Sequence, residues 1–265
     1  MDAPSDMTDR PKSTFRTRLA CTAQDLRAAQ RLRYDVFVTE LGGDGPLVDH
    51  AARLERDAFD PHAAHLLLID DARGRDDNVV GVYRVMTSQM AAAAGQFYCE
   101  DEYDLSLLRA SGKRLLELGR SCLHPDYRGG LGMMHLWAAL AEFVAAQQIE
   151  ILFGVASFHG TDVAGLKDQL SLLHHRHRAP RSLRVHAIGP SAISMNIRDP
   201  DAIDRPSAIR DMPALIKAYL RLGATVGEGA FVDHAFNTVD ICLILESDAI
   251  NALQKSIYAQ GRLRG

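Results

Sequence analysis

Apolar positions along this chain fall into helical and strand-like runs. Leu26, Ala29, Leu32, Val36 and Phe37 recur close to the helical period, so Ala23–Leu41 reads as a helix, with Thr22 as its N-cap and Gly42-Gly43 as its end. Compact runs at Phe15–Leu19, His65–Asp70 (HLLLID) and Val79–Met86 (VVGVYRVM) read as strands, the last two joined by the polar turn Arg73–Asn78 into an antiparallel hairpin. Ala91–Tyr103 and Leu105–Ser111 read as short helices or loops over one sheet face. Arg114–His124 is then a strand, Leu131–Gln147 a helix and Ile149–Phe158 (IEILFGVASF) a β-rich run, a unit whose two strands should be parallel. Downstream, Leu166–Leu173 and Met212–Leu222 read as helices, the second with Pro213 near its first turn and Gly223 just past its end. Phe231–Phe236 and Thr238–Glu246 (TVDICLILE) make the last strand pair. The pattern predicts a mixed α/β sheet, largely antiparallel with one parallel pair and flanked by helices. It is organised as one domain over residues 15–250, with a disordered polar tail at 1–14 and a second tail at 251–265.

Composition narrows the function. At 265 residues, 47% hydrophobic and 24% charged, the chain suits an ordinary globule with a sizeable core. A net charge of −4 argues against a nucleic-acid binder, which needs a basic surface to displace counterions. Cys21, Cys99, Cys122 and Cys242 form no CxxC pair and the N-terminus does not read as a signal peptide, so reduced thiols in a cytoplasmic protein are expected. No apolar run reaches the roughly 18 residues of a spanning helix, which leaves peripheral contact with the inner membrane as the form any lipid association would take.

Candidate chemistry centres on Arg114–Gln148. Gly119 interrupts the strand LLELGRSCL, as at a bulge or where a ligand approaches the backbone; N–H groups freed near Leu118–Ser121 would suit an oxyanion on a thioester carbonyl. The loop Arg128-Gly129-Gly130-Leu131-Gly132 opens a helix, a place where backbone and dipole receive a phosphate. Asp44–Asp60, carrying Glu55, Asp57 and Asp60, reads either as a solvated acidic loop or as a binding loop for a cation.

The strand–loop–helix resembles motif A of the GNAT N-acyltransferase superfamily. More narrowly, Glu117-Leu-Gly-Arg120-Ser-Cys-Leu-His124-Pro-Asp-Tyr-Arg128, Leu152–Phe158, Leu215–Ala224 and Phe236–Asp240 resemble the ornithine N-acyltransferases of ornithine-lipid synthesis, a likeness running over most of 15–246. Arg33-Tyr-Asp-Val-Phe37, Glu55–Asp60, Tyr83-Arg84 and Glu117…Arg120 are also similar to the signature of acyl-homoserine lactone synthases, although Gly42-Gly43 stands where that family carries tryptophan. The resemblance implies direct transfer of a 3-hydroxyacyl chain from acyl carrier protein to the α-amine of L-ornithine, giving lyso-ornithine lipid. The acyl-phosphopantetheine is then a co-substrate, with no tightly bound cofactor and no metal. Glu117 is implied as base, Gly119 and Arg120 as parts of the reacting strand, and Tyr219, four residues before Gly223, as the acid for the departing thiolate. Asp57 and Asp60 would hold the diamine's charge, Arg33, Arg84 and Arg120 a carboxylate or phosphate, and Phe37, Asn237 and Asp240 the substrate. Arg128, Gly129, Gly130 and Gly132 would meet the pantetheine phosphate. The superfamily pattern Arg/Gln-x-x-Gly-x-Gly/Ala is imperfect here, since Leu131 falls where its first glycine belongs. A weakened diphosphate grip favours a carrier protein over coenzyme A.

Rival readings stay open. Cys122 and His124 would share a face of a regular strand and could form an acyl-enzyme, though buried strand cysteines are mostly inert. The histidines and arginines of His174–His186 lack the carboxylate or cysteine partners and spacing of a zinc site; Arg176, Arg178, Arg181 and Arg184 there form a candidate docking surface for an acidic carrier protein. An acyl-CoA-dependent enzyme acting on another amine, or a non-catalytic thioester-binding module, are the alternatives.

Overall fold

The computed structural model describes residues 14–74 and 77–248; the two expected tails, Thr14 apart, lie outside the described residues. In chain order the elements are β1 (Phe15–Leu19), α1 (Ala23–Arg33), a π-helical continuation (Tyr34–Glu40), β2 (Ala64–Asp70), β3 (Val79–Thr87), α2 (Ser88–Ala94), a 3₁₀ turn (Tyr98–Asp101), β4 (Tyr103–Asp104) and α3 (Ser106–Ala110). After these come β5 (Leu115–Leu123), α4 (Gly132–Ala146), β6 (Ile151–His159), α5 (Lys167–Arg176), β7 (His186–Ala187), β8 (Ala192–Ile193), α6 (Arg205–Asp211), α7 (Ala214–Arg221), β9 (Thr225–Val226), β10 (Ala230–Asp233) and β11 (Thr238–Glu246). The main sheet runs β1-β2-β3-β5-β6-β11-β10-β8, with β9 also on β11. Its named pairs are antiparallel except β5–β6. The expected mixed sheet with one parallel pair is therefore the fold.

Side-chain alternation divides the sheet into two faces. Leu66, Leu68, Leu116 and Leu118 pack with α4, α5 and α7 through Leu136, Leu140, Leu170 and Ile216. On the opposite face Leu67, Ile69, Val82 and Cys122 meet α1 through Ala29 and Leu32, and its π-helical continuation through Val36. Farther along that face, Leu115, Phe153, Cys242 and Ile244 pack with Phe97, Cys99 and Tyr103.

The first helix starts as predicted: Thr22 accepts from Asp25 N at 3.1 Å while Asp25 returns a bond to Thr22 N, a capping box. It does not remain α-helical to Leu41. From Tyr34 it widens into a π-helix, a form that often accompanies functional sites, before Gly42 turns the chain at φ 74°.

The parallel pair is only partly zipped. β5 and β6 are in register only at Leu115–Ile151, Leu116–Leu152 and Glu117–Phe153. At the next position of β6, Gly154 has φ 156°, and a Cβ there would stand 2.1 Å from Leu118 O, so only glycine lets the backbones touch as they part. We expect Gly154→Ala to destabilise the protein by roughly 1–3 kcal/mol or more, the cost of overpacking with backbone displacement. A urea midpoint equal to wild type would show that the strands can part without this contact.

Candidate active site

Where β5 and β6 separate, a cleft of ≈ 230 Å³ opens between the two sheet faces. Leu118–Ser121 of β5 and Gly154–Ser157 of β6 line its sides. Tyr83, Leu215 and Tyr219 reach it from the α4/α7 face, and Phe37, Tyr98, Arg120 and Asp240 from the other.

The bulge expected at Gly119 is present, but its strained residue is the next one. Pairing steps from Val82–Cys122 to Arg84–Gly119, so β5 carries one residue more than β3. Arg120 absorbs the difference at φ 49°, in the left-handed region that non-glycine residues seldom enter. Gly119 lies beside the Arg84 guanidinium, where a Cβ would stand 3.8 Å from it, an ordinary contact, so the close approach does not itself demand glycine.

The arginines and loop acids meet one another. Arg33, fully buried, pairs with Glu55 and, at 2.7 Å, with Asp60. Arg84 pairs with Asp57 and, at 3.2 Å, with Asp60. Arg120 reaches Glu55 at 3.2 Å and Asp57 at 3.1 Å. Three cations thus balance three carboxylates. Burial pushes Asp57 and Asp60 up, but Arg84 and Arg120 overrule it at Asp57, and Arg33 and Arg84 at Asp60, so both carboxyls lie below their ordinary range. The Glu55–Asp60 end of the acidic run is therefore paired, not free to hold a diamine at Asp57 and Asp60, and Arg33 and Arg84 are committed to the same pairs. Only Arg120 of the three lines the cleft, stacked 4.5 Å from the Tyr98 ring centroid and 4.9 Å from that of Phe236. Gly43 makes room for Phe236, since a Cβ there would come within 2.8 Å of its ring.

Glu117 points away from the cleft. Its Oε1 accepts from Cys99 N at 2.7 Å and its Oε2 from Tyr98 N at 2.9 Å, so the implied base acts here as a clamp on the 3₁₀ turn. Burial outweighs these donors and raises its carboxyl above the usual range. Tyr219 does reach the cleft, with its hydroxyl 2.5 Å from that of Tyr83 and its ring against Trp137. Burial raises Tyr219 well above an ordinary phenol and Tyr83 to about 12, so both stay protonated. Asn237, at φ 53°, forms the turn before β11 and accepts from Gly160 N at 2.8 Å; it does not line the cleft as a substrate contact would.

The donor loop also differs in detail. Arg128 is held bidentately by Glu40 at 2.6 and 2.7 Å, so it is not a free phosphate ligand. Gly129 turns at φ 72°, Gly130 is unencumbered, and Gly132 opens α4 packed close to Leu68 and Tyr127 O. Cys122 is buried under α1, and burial lifts its thiol to about 12; His124 instead caps the turn at Asp126, so no Cys–His pair forms. In the basic segment Arg178 and Arg184 turn to Glu228 at 3.2 and 3.7 Å, and His174 lies 3.4 Å from it, leaving Arg176 and Arg181 outward.

Sequence reasoning gave Glu55 no partner and missed Asp233 and Glu102. Glu55 bridges Arg33 and Arg120 although it is fully buried, and Asp233 lines the cleft beside Asp240. Glu102 joins them: among the described residues Glu102, Asp233 and Asp240 bring one carboxylate oxygen each within 4.8 Å of the others. Only Glu55 carried a signal, its place in the Glu55–Asp60 run.

Parted parallel strands, a β5 bulge lining the gap and a tyrosine poised across it define an N-acyltransferase of the GNAT class, and the family model for the acetyltransferase (GNAT) domain matches residues 32–138. The L-ornithine N(alpha)-acyltransferase of Rhodobacter capsulatus is 55% identical over 93% of this chain and 95% of its own. The proteins of that name from Brucella abortus and Agrobacterium fabrum are 38% and 36% identical, over 92% of this chain in both cases and 89% and 85% of theirs. The chain belongs to the L-ornithine N(alpha)-acyltransferase family. Among solved structures, the AHL synthase LasI aligns over 89% of this chain and 91% of its own at 15% identity, TM-score 0.47.

Because Asp57 and Asp60 sit below their unfolded value of about 3.9, the stability they lend is present above that pH and is lost as pH falls through their folded values. The urea midpoint should therefore drop steeply below about pH 4; a flat acid limb would mean the network contributes nothing. Glu117→Gln places an amide donor against one of two backbone donors and should cost about 1–3 kcal/mol of stability. Its kcat should keep the wild-type pH profile, whereas a base role would remove 100-fold or more of the rate.

Proposed function

We propose that this chain transfers a 3-hydroxyacyl group from acyl carrier protein to the α-amine of L-ornithine, giving lyso-ornithine lipid. The observation that carries the reading is the 55% identity, across nearly all of both chains, to a protein named L-ornithine N(alpha)-acyltransferase. The cleft supports the chemistry. The unprotonated α-amine attacks the thioester carbonyl, whose oxygen gains charge beside the backbone of Leu118–Ser121. As the C–N bond forms and the C–S bond breaks, the departing thiolate takes the Tyr219 proton. That phenol is held neutral by burial, as a proton donor must be. The amine's own proton leaves through water in the cleft, since both oxygens of Glu117 are engaged elsewhere, and a proton returned from that water restores the Tyr219 phenol. Arg120, the arginine lining the cleft, faces the α-carboxylate.

A carrier-protein donor is supported by the loop before α4. Its arginine is bound to Glu40, and Leu131 stands in the glycine pattern, so little remains to grip a diphosphate. A phosphopantetheine arm brings a single phosphate diester. No helix among the described residues is long and apolar enough to cross a membrane.

Incubating the purified protein with ornithine and either 3-hydroxyacyl carrier protein or the matching acyl-CoA, then weighing the products, tests the reading. N-acylornithine from the carrier protein supports it. Product from acyl-CoA alone assigns the donor to coenzyme A, and no acylated amine at all points to a thioester-binding module. Tyr219→Phe should lower kcat by about 10²-fold or more with little change in KM; equal losses in both would reduce Tyr219 to packing.

A further inference from the structure

Three carboxyl groups from separate elements converge on the polar end of the cleft. Glu102 comes from the turn before β4, Asp233 from the end of β10 and Asp240 from β11. Asp233 and Asp240 line the cleft, and Glu102 and Asp240 are each only 4% exposed. Glu102 Oε2 and Asp240 Oδ1 have no hydrogen-bond partner, and no ion pair among the described residues reaches any of the three groups. Asp233 Oδ1 accepts from Ala235 N and Phe236 N at 2.8 and 3.0 Å, but buried acceptors are ordinarily satisfied, so the two unsatisfied oxygens in this cluster mark a place for a donor that comes from outside. The contrast with the loop acids is direct: there every carboxylate has its arginine.

We propose that Glu102, Asp233 and Asp240 form the receptor for the side-chain ammonium of the amino-acid acceptor, selecting a diamino acid and fixing which of its two amines is acylated. This rests on the acceptor being a diamino acid, as proposed for the reaction itself. An ammonium has three donors in a compact head. Three oxygens no more than 4.8 Å apart leave a centre about 2.8 Å from each, within hydrogen-bond range. A divalent metal at the same three oxygens would have to draw the rest of its shell from water, and the chelator arm of the test separates the two occupants. The nearby carbonyls of Gly229 and Asp240 already accept from the Tyr103 hydroxyl at 3.2 and 2.9 Å. Without a cation, burial together with neighbouring charge raises Glu102 to about 9 and Asp240 to about 6. Held as an ammonium among carboxylates, the side-chain nitrogen has no free lone pair and cannot attack. The α-amine is left to face the parted strands, where Tyr219 waits on the other side.

The test compares ornithine with 2-aminopentanoate, the same chain without the second amine, at saturating acyl donor. Wild type should favour ornithine in kcat/KM on the order of a hundredfold or more. Glu102→Gln, with Asp240→Asn as a second variant, should shrink that ratio to within about tenfold, and some ornithine should now be acylated on its side-chain nitrogen, read by tandem mass spectrometry. Merely damaged packing would lower both substrates together and leave the regiochemistry intact. Equal use of the two acceptors by wild type overturns the proposal without any variant. So does an unchanged ratio in both variants, or activity that chelator abolishes and Mg²⁺ restores with that dependence lost in Glu102→Gln. If wild type rejects ornithine but acylates another diamine in preference to its uncharged analogue, the ornithine reading fails while the receptor stands. Acylation of uncharged amines alone sinks both.

Discussion

A closed set of six charges holds this protein's working parts together. Arg33 comes from α1, Arg84 from β3 and Arg120 from β5, while Glu55, Asp57 and Asp60 come from one long irregular segment. Such a set gives little net stability over an apolar core, yet removing any one member leaves a buried charge uncompensated, at a cost of about 3–5 kcal/mol. The network therefore acts as a lock. It fastens a segment with almost no ladder of its own across the sheet, and it holds Arg120 in a backbone conformation that this residue would not choose alone.

The parting of β5 and β6 turns that rigidity into a site. Because strand residues alternate faces, a gap between two strands joins compartments that the sheet otherwise separates. One side presents neutral hydroxyls, Tyr83 and Tyr219, amid leucines; the other presents Arg120 and the carboxylates of Asp233 and Asp240. A thioester and a charged amino acid have opposite solvation needs, and a through-sheet cleft lets them meet without either crossing the other's surroundings. The bulge matters for the same reason. It places Gly119 and Arg120 consecutively toward the charged side and restores alternation in time for Ser121 and Leu123 to face the tyrosines.

Much of the architecture was legible in the chain because it is written locally. The β2–β3 hairpin, the β5–α4–β6 unit, the Thr22 capping box and the parallel pair all follow from periodicity and short-range chemistry. The site was legible in part. Of the residues singled out in the chain, Phe37, Gly119, Arg120, Tyr219 and Asp240 line the cleft. What the chain did not disclose is partnership across long separations. Asp57 and Asp60 look like free acids until Arg84 and Arg33, up to 27 residues away, are folded against them. Glu102 sits in no motif and gains meaning only when β10 and β11 bring Asp233 and Asp240 beside it. The α-to-π transition at Tyr34 is equally silent, since both forms bury the same apolar stripe.

Glu117 shows how a residue can matter to a reaction that it does not touch. Its two oxygens fix the amides of Tyr98 and Cys99, and the Tyr98 ring so positioned lies against the guanidinium of Arg120. The same ring stands 5.2 Å from Arg84, whose guanidinium lies beside Gly119. A strand carboxylate, a bulge glycine and two arginines are thus one mechanical unit with Tyr98 at its centre. The spacing of Glu117, Gly119 and Arg120 follows from that unit: a brace on one register position, the start of the bulge two places on, and the residue that enters the cleft directly after it.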